Sequence, residues 1–337
     1  MTPVLKRLAL GIPPIRRLYE SRNLLASQLA AMQAAAATEA GSPFLHYHAS
    51  FDPIEVIRRH ALPDPSPMPG QFTNFLGVRM APRFLAGLLD GKEGQVEGLP
   101  IPANWHADVA EWGAALRAVD LARGSFAVAE LGCGWGCWLN NTGVAARRAG
   151  LAVTLLGVEG DDGHVAFALE AATTNGFTPE QITIRRGIAA AQSGVALFPR
   201  QGRAGAHWGL EPVFGATEAE RARAIAAGSH DELPMVSLDE LLAPVARLDL
   251  LHVDIQGGEA DLVDGCLDLL YEKVAYVVIG THSRQIEGRL MSSLLAAGWR
   301  LEIERPAILV MTVDGPLVRV DGVQGWRNPA LLPPERG

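Results

Sequence analysis

The sequence has few cysteines, no excess of positive charge and no long apolar run. Its 337 residues include three cysteines, which are too few for a disulfide framework. The formal net charge of -8 provides no general electrostatic attraction to nucleic acid. The chain shows neither a signal-peptide pattern nor an apolar stretch long enough to cross a membrane. These absences predict a cytoplasmic protein that has no nucleic-acid partner.

The first 120 residues carry no strong motif and are interpreted as additions to a main domain. Residues 1–60 begin with interleaved basic and apolar residues and continue as an Ala/Leu-rich stretch, which predicts a helical extension. We expect it to pack on the main domain or on a second copy of the chain, as in a homo-oligomer. A second interpretation is an interfacial helix that makes peripheral contact with an anionic membrane. Residues 61–120, which begin with "ALPDPSPMPG", predict a linker and accessory helices.

From residue 125 onward, short apolar runs alternate with helical stretches. Such runs are typical of strands that are buried on both faces of a parallel sheet. They lie at 126–131, 152–159, 182–186, 248–254 and 273–280. The alternation predicts an α/β fold with a doubly wound, mostly parallel sheet over residues 121–315.

The end of the predicted domain differs from its parallel centre. Two last runs, 299–305 and 307–313, are separated only by Pro306, which permits an antiparallel hairpin and no helical crossover. Residues 190–236 form a long insertion, and a segment of this length is usually a lid, a binding loop or a mobile segment. Residues 316–337 are expected to form a C-terminal tail.

The first run is followed by the glycine-rich stretch "ELGCGWG". Ligands of open α/β sheets bind at the carboxyl ends of the strands, so this loop is the first candidate for a binding site. Gly132, Gly134 and Gly136 have G-x-G-x-G spacing, which lets the backbone turn sharply and approach a ligand. A dinucleotide fingerprint would have G-x-G-x-x-G. Glu130 would repel a pyrophosphate but suits a cationic ligand such as S-adenosylmethionine.

A second acidic residue ends the next strand. Glu159, in "GVEGDD", follows Glu130 by 29 residues. In that position its carboxylate can accept hydrogen bonds from two ribose hydroxyls. The two acids together, after consecutive strands, indicate a nucleoside-containing ligand more strongly than either does alone.

The two cysteines of the glycine-rich stretch were considered as a metal or redox site. Cys133 and Cys137 begin a C-x-x-x-C-x-x-C pattern, but Asn140 occupies its third position. A zinc site would need a second pair of ligands. We therefore interpret both cysteines as small side chains that pack at the strand-to-helix turn.

These motifs resemble those of a known family. The stretches "VAELGCGWG" and "LLGVEGDD" are similar to the cofactor site of class I S-adenosylmethionine-dependent methyltransferases. The stretches "VSLDELL", "LDLLHVDIQGGEADLVDG" and "VIGTHSRQIEGRL" resemble the FkbM-type branch of that family. The resemblance implies a Rossmann-like sheet that ends in an antiparallel hairpin, and S-adenosyl-L-methionine as the cofactor. It also implies methylation of hydroxyl groups of sugars and natural products.

The resemblance also implies which residues hold the cofactor. Glu130 would approach the methionine amino group, Gly132 and Gly134 the carboxylate and sugar, and Glu159 the ribose. The adenine contact would follow the third strand near Ile188, where this sequence has no acidic residue. The expected cofactor site is completed by Trp135 and Gly160.

Asp254 and His282 follow the fourth and fifth runs, at the same edge of the predicted sheet. Where the family pattern has D-V-E-G-x-E, this chain has Gln256 in place of an acid and retains Glu259. We expect His282, near its ordinary pKa, to act as the base that takes the acceptor's hydroxyl proton. Asp254 would assist or orient it. The alternative for His282 is a hydrogen-bonding role at the strand end.

A divalent metal ion at the same place is a further alternative, which the sequence does not favour. Asp254, Glu259, His252 and His282 could bind magnesium, which lowers the pKa of an acceptor hydroxyl. Only two of these residues are acids, however, and magnesium prefers oxygen ligands. The metal residues are therefore unknown at this point, and His252 is more simply a buried strand residue.

The sequence as a whole predicts an O-methyltransferase that uses S-adenosylmethionine and acts on a small-molecule or glycan acceptor. One alternative is a nicotinamide-dependent oxidoreductase, which Glu130 opposes. Another is a non-catalytic cofactor-binding protein on the same fold, which would not need Asp254 and His282 to converge.

Overall fold

The short apolar runs of the sequence lie side by side in an eight-stranded sheet. The computed structural model describes residues 41–203 and 205–333. Strands of the described residues are, in chain order, β1 (His48–Ala49), β2 (Phe72–Thr73), β3 (Arg79–Met80), β4 (Ser125–Leu131), β5 (Ala152–Glu159), β6 (Ile182–Arg186), β7 (Ile188–Ala190), β8 (Gly194–Pro199), β9 (His230–Ser237), β10 (Leu250–Val253), β11 (Tyr276–Thr281), β12 (Arg300–Arg305), β13 (Ile308–Thr312), β14 (Gly315–Val320) and β15 (Gly322–Arg327).

Helices cover the sheet between these strands. The α-helices of the described residues are α1 (Pro53–His60), α2 (Val109–Leu121), α3 (Cys137–Arg148), α4 (Asp162–Thr174), α5 (Glu218–Ala226), α6 (Leu238–Leu242), α7 (Glu259–Gly265), α8 (Leu267–Lys273) and α9 (Arg284–Ala296). Short 3-10 helices lie at Pro43–Leu45 and Pro82–Leu85. No helix of the described part is long and apolar enough to cross a membrane.

The order of the main sheet is β1-β12-β15-β11-β10-β4-β5-β6. Strands β11, β10, β4, β5 and β6 run parallel, as the alternation of strands and helices predicted. Strand β4 lies between β5 and β10, so the chain reverses its direction of winding there. Leu131 pairs with Val253, so the loops after β4 and β10 leave the sheet next to each other. The doubly wound α/β fold is confirmed, and its switch point is where a ligand is expected.

Apolar burial explains why these runs become central strands. Leu131, Val253, Val277 and Ile279 have 0 to 1% of their surface exposed and belong to one hydrophobic cluster. Full burial of a side chain of this size contributes about 1.5–3 kcal/mol. Both faces of these central strands are covered, so successive side chains are all buried and are predominantly apolar. This is why the sequence shows continuous apolar runs.

The sheet ends in antiparallel strands, as predicted, but the expected partners are wrong. Strand β12 pairs with β1 and β15, whereas β13 pairs with β14. Thr312 pairs with Gly315, so the hairpin turn is Val313-Asp314 and not Pro306. Pro306 alone is too short for the two central residues of a tight hairpin. The Asp314-Gly315 pair was the turn signal in the sequence.

The domain boundaries also differ from the expected ones. Strand β15 lies between β11 and β12, so part of the expected 316–337 tail belongs to the central sheet. Described residues from Tyr47 onward belong to one compact unit, which therefore includes the expected linker and accessory helices of 61–120. Residues 1–40 of the expected helical extension, and any membrane contact by them, lie outside the described residues. Residues 41–46, which contain the Pro43–Leu45 turn, belong to a separate unit.

The insertion at 190–236 has secondary structure of its own. Strands β7, β9 and β8 form a three-stranded sheet, and helix α5 lies between β8 and β9 in the chain. Residues 205–214 between β8 and α5 contain no helix or strand. Its role as a lid or binding loop stays a prediction.

Candidate active site

The turn between β4 and α3 packs against the loop after β10. Gly132 has a φ of +75°, and a Cβ there would lie 2.2 Å from the carbonyl oxygen of Asp254. Only glycine allows both the left-handed backbone and this close approach. The glycine-rich stretch therefore lies at the switch point, beside the residue expected to serve catalysis.

Glu130 caps helix α3 from inside the protein. Its carboxylate oxygens accept hydrogen bonds from the amides of Trp138 and Leu139, at 3.2 and 3.1 Å. Burial raises the pKa of Glu130 to about 7, although nearby His252 and the two amides act against this. The Glu130 carboxylate thus already accepts hydrogen bonds from two amides in the first turn of α3. The expected approach of Glu130 to the methionine amino group stays a prediction.

Glu159 joins the glycine-rich turn to the start of α4. Its Oε2 accepts a hydrogen bond from the amide of Gly134 at 2.8 Å, and its Oε1 accepts one from the amide of Asp161 at 2.9 Å. The side chain is buried, and burial raises its pKa. His164 lies beside it, with Nδ1 4.0 Å from Oε1. The structure therefore brings Glu159 and Gly134 together as expected.

The other three expected cofactor residues, Trp135, Ile188 and Gly160, each pack against apolar or aromatic side chains. Trp135 is buried, with its ring centroid 6.2 Å from that of Phe84. Ile188 packs in a small cluster with Ala196 and Leu233. A Cβ at Gly160 would lie 2.7 Å from the ring of Phe198. The side chains of Trp135 and Ile188 thus contribute to packing, and their contact with a cofactor stays a prediction.

Asp254 and His282 converge at the carboxyl ends of β10 and β11, as predicted. His282 Nε2 lies 3.3 Å from Asp254 Oδ1, and Nδ1 lies 2.9 Å from Glu259 Oε1. Glu259 is fully buried at the start of α7 and also accepts hydrogen bonds from the amides of Ile255 and Gly257. The imidazole is therefore held between two carboxylates, of which Asp254 is the exposed one, with 45% of its side chain accessible.

These two carboxylates change the charge that was expected of His282. Burial lowers its pKa, but the hydrogen bonds to Asp254 and Glu259 outweigh burial and raise the pKa to about 10. The prediction that His282 titrates near its ordinary pKa is therefore wrong. Partial burial raises the pKa of Asp254, and the hydrogen bond and charge of His282 lower it overall. At neutral pH the pair is an imidazolium beside an ionised carboxylate.

The candidate metal ligands are only partly brought together. Asp254, Glu259 and His282 offer ligand atoms that all lie within 4.8 Å of one another, so they could hold a cation. His252 is not in this group. Its Nε2 lies 3.0 Å from Glu111 Oε1, and its ring stacks on Trp138 with centroids 5.2 Å apart. The inclusion of His252 among the metal ligands is therefore wrong.

The accessory segment supplies site residues that the sequence did not indicate. Glu111, on α2, is the partly buried partner of His252, and burial of the carboxyl raises the pKa of Glu111. His106 is partly buried beside Cys137, with Nε2 2.6 Å from Sγ, and burial of the imidazole lowers the pKa of His106 to about 4. Burial also raises the pKa of Cys137, which agrees with a packed, protonated thiol. No local motif marks these contacts, because the partners are 31 and 141 residues apart.

The residues at the switch point fit S-adenosylmethionine better than a dinucleotide. A pyrophosphate would need the amides at the start of the helix after the glycine turn, and Glu130 already accepts from two of them. The carboxylates of Glu130 and Glu159 would also repel it. Beside Glu159, the buried His164 Nε2 has no hydrogen-bond partner among the described residues.

Comparisons with known proteins agree with this geometry. A protein of Jannaschia sp. (strain CCS1), described as "Putative methyltransferase", is 47% identical over 266 residues, which is 79% of this chain and 95% of the relative. No protein-family model matches the chain.

Solved structures of methyltransferases were also found to be similar. The FkbM methyltransferase of Methylobacillus flagellatus KT is 12% identical, with a TM-score of 0.41, over 65% of this chain and 54% of the other. The ribosomal protein L11 methylase of Lactobacillus delbrueckii subsp. bulgaricus is 14% identical, with a TM-score of 0.35, over 74% of this chain and 93% of the other.

Proposed function

The chain belongs to the methyltransferases, and from that premise we propose that it is a class I enzyme that transfers a methyl group from S-adenosylmethionine to a hydroxyl group. The acceptor in this proposal is a sugar or glycan-linked molecule, as in the FkbM-type branch. One observation carries the proposal. The backbone carbonyl of Asp254, whose carboxylate lies 3.3 Å from His282, packs directly against Gly132 of the glycine-rich turn. A base and a cofactor loop are thus adjacent at the switch point of the sheet.

The cofactor would be held by the glycine-rich turn and by Glu159. S-adenosylmethionine supplies a methyl group on a positively charged sulfur. Gly134 presents its backbone at the turn, and the Glu159 carboxylate beside it would accept hydrogen bonds from ribose hydroxyls. The buried carboxylates of Glu130 and Glu159 favour a cationic ligand over an anionic one.

Asp254 is the group in this proposal that takes the hydroxyl proton. A protonated His282 cannot accept a proton, but the ionised Asp254 can. The lowered pKa of Asp254 makes it a weak base for a free hydroxyl. As the oxygen forms its bond to the methyl carbon, however, the hydroxyl becomes strongly acidic, and a carboxylate is then sufficient. His282 and Gln256 both donate to Asp254 Oδ1 and hold the carboxylate in place.

Binding experiments test the cofactor assignment first. We expect isothermal titration calorimetry to show binding of S-adenosylhomocysteine and none of NAD. Transfer of labelled methyl from S-adenosylmethionine to a panel of free sugars and sugar-lipid acceptors then tests the acceptor class. Binding of NAD instead would support the oxidoreductase alternative. Binding of S-adenosylhomocysteine without transfer to any hydroxylated acceptor would contradict the proposed reaction.

Metal dependence is tested on the same assay. Both ring nitrogens of His282 face carboxylates, so a proton on each nitrogen satisfies both of these contacts without a metal ion. We therefore expect dialysis against EDTA to leave the methyl-transfer rate unchanged. A loss of activity that magnesium restores would instead assign Asp254, Glu259 and His282 as metal ligands.

Three partner predictions remain proposals. They are the glycan nature of the acceptor, contact of the N-terminal segment with a membrane, and self-association. The net charge of -8 supports an acceptor other than nucleic acid.

A further inference from the structure

Residues 205–214, here named the cover segment, run between the two halves of the candidate site. At one end the amide of Gly205 donates a hydrogen bond to Asp161 Oδ1 at 2.6 Å. Further along, a Cβ at Gly209 would lie 3.3 Å from Gln256 Oε1. Asp161 follows the ribose-binding candidate Glu159, and Gln256 follows Asp254. The cover segment therefore reaches from the cofactor side to the transfer side.

Between these two contacts, Trp208 lies on the glycine-rich turn. A Cβ at Gly134 would lie 2.3 Å from the indole ring, so the indole touches the backbone of Gly134. The same ring lies against His164 in a tilted arrangement, with centroids 4.1 Å apart and planes inclined by 32°. The surface that a glycine leaves open for a ligand is thus covered by a planar side chain of the protein itself.

The surroundings of this indole indicate that another group can take its place. His164 has 4% of its surface exposed, and no group of residues 41–203 or 205–333 is hydrogen-bonded to its Nε2. A buried polar atom without a partner is uncommon in folded proteins, and a ligand is one group that can supply the missing hydrogen bond. Glu159 Oε1 lies 4.0 Å from the other ring nitrogen of His164. The Glu159 carboxylate, the His164 imidazole and the Trp208 indole therefore lie together beside Gly134.

We propose that Trp208 covers the cofactor surface of Gly134 and leaves it when S-adenosylmethionine binds. This inference rests on the proposed function, because it assigns that surface to the cofactor. The indole and the cofactor would need the same face of Gly134, so they compete for it. The covered form cannot bind, and the observed affinity is reduced by the fraction of molecules in which the site is covered.

Removal of the indole tests the competition. We expect Trp208→Ala to bind S-adenosylhomocysteine about three- to tenfold more tightly in calorimetry, with faster association in stopped-flow measurements. Phe214→Ala is the matched control, because Phe214 lies in the same segment and is 48% exposed, against 46% for Trp208. Its affinity should equal that of the wild type. An unchanged or weaker affinity of Trp208→Ala would overturn the inference.

Tryptophan fluorescence provides a second readout that does not depend on activity. Trp208 is exposed, whereas Trp112, Trp135, Trp138, Trp299 and Trp326 are buried and Trp105 is partly buried. We expect saturating S-adenosylhomocysteine to increase acrylamide quenching of the wild type and to leave that of Trp208→Phe unchanged. Equal quenching of the wild type with and without the ligand would contradict movement of the indole.

The two proposals fail in different ways. If neither the wild type nor Trp208→Ala binds S-adenosylhomocysteine, the cofactor assignment fails, and the inference fails with it. If both bind with the same affinity, the cofactor assignment stands and only the role of Trp208 is overturned. Circular dichroism melting of each variant separates a change in binding from a change in folding.

Discussion

At the scale of single residues, the site depends on two carboxylates that each contact a different ring nitrogen of His282. Glu259 is fully buried and holds the Nδ1 side of His282, while the exposed Asp254 lies on the Nε2 side. The buried partner fixes the ring, and the exposed partner is left in reach of an acceptor. This division gives Asp254 the role of proton acceptor and gives His282 the role of orienting it.

Asp254→Asn removes the proton acceptor and keeps the shape of the side chain. We expect the methyl-transfer rate to fall about 10²- to 10⁴-fold, while the Kd for S-adenosylhomocysteine stays within about twofold of the wild-type value. Asp261→Asn is the control, because Asp261 lies nearby on α7 with 78% of its side chain exposed. A rate for Asp254→Asn within threefold of the wild type would remove Asp254 from the reaction.

The raised pKa of His282 predicts a pH-dependent contribution to stability. Its pKa is about 10 in the folded protein, above the ordinary value of 6.5. The stabilisation by the charged ring is therefore complete below about pH 6.5 and is lost as the pH rises through 10. We expect the difference in melting temperature between the wild type and His282→Gln to shrink from pH 6 to pH 10. His207→Gln, a substitution of an exposed histidine, is the control, and its melting temperature should stay close to that of the wild type.

At the scale of secondary-structure elements, the site depends on the contact between two loops. Strands β4 and β10 pair in parallel, and Gly132 lets the turn after β4 touch the carbonyl of Asp254. The sequence predicted that both loops lie at one edge, because the carboxyl ends of parallel strands meet there. It could not predict the Glu111–His252 contact, since 141 residues separate the partners and no spacing rule relates them.

Gly132→Ala tests this loop contact. The new Cβ would lie 2.2 Å from the Asp254 carbonyl oxygen, and the left-handed φ of +75° adds backbone strain. Together these effects should lower the free energy of unfolding by about 2–4 kcal/mol. Gly150→Ala has a similar φ of +81° with no atom within 4 Å of the new Cβ, so it measures the backbone strain alone. Equal melting temperatures for the two variants would show that the loops do not need this contact.

At the scale of the whole molecule, the last strand of the sheet was the largest error of sequence interpretation. The parallel strands were predicted to within three residues at either end, because continuous apolar runs bounded by turns leave few alternatives. Strand β15, "GVQGWR", contains polar residues that are nevertheless buried. Gln324 donates to the carbonyl of Glu287, and Arg327 pairs with Glu302. Polar burial of this kind depends on partners from other elements, which a local pattern does not show.

Trp326→Ala tests whether the expected tail is part of the core. Trp326 is fully buried in the main hydrophobic cluster, so its removal should lower the free energy of unfolding by about 3–5 kcal/mol. Val313→Ala, at the fully exposed tip of the β13–β14 hairpin, should leave the melting temperature unchanged. If thermal melting showed Trp326→Ala to be as stable as the wild type, β15 could not lie in the central sheet.

A crystal structure with bound S-adenosylhomocysteine tests the central claim most directly. The account predicts that the ligand lies on the glycine-rich turn, with its ribose hydroxyls at Glu159 and its sulfur directed toward Asp254. It also predicts that the indole of Trp208 no longer touches Gly134. A ligand that binds elsewhere, or whose sulfur faces away from the Asp254–His282 pair, would contradict methyl transfer at this site.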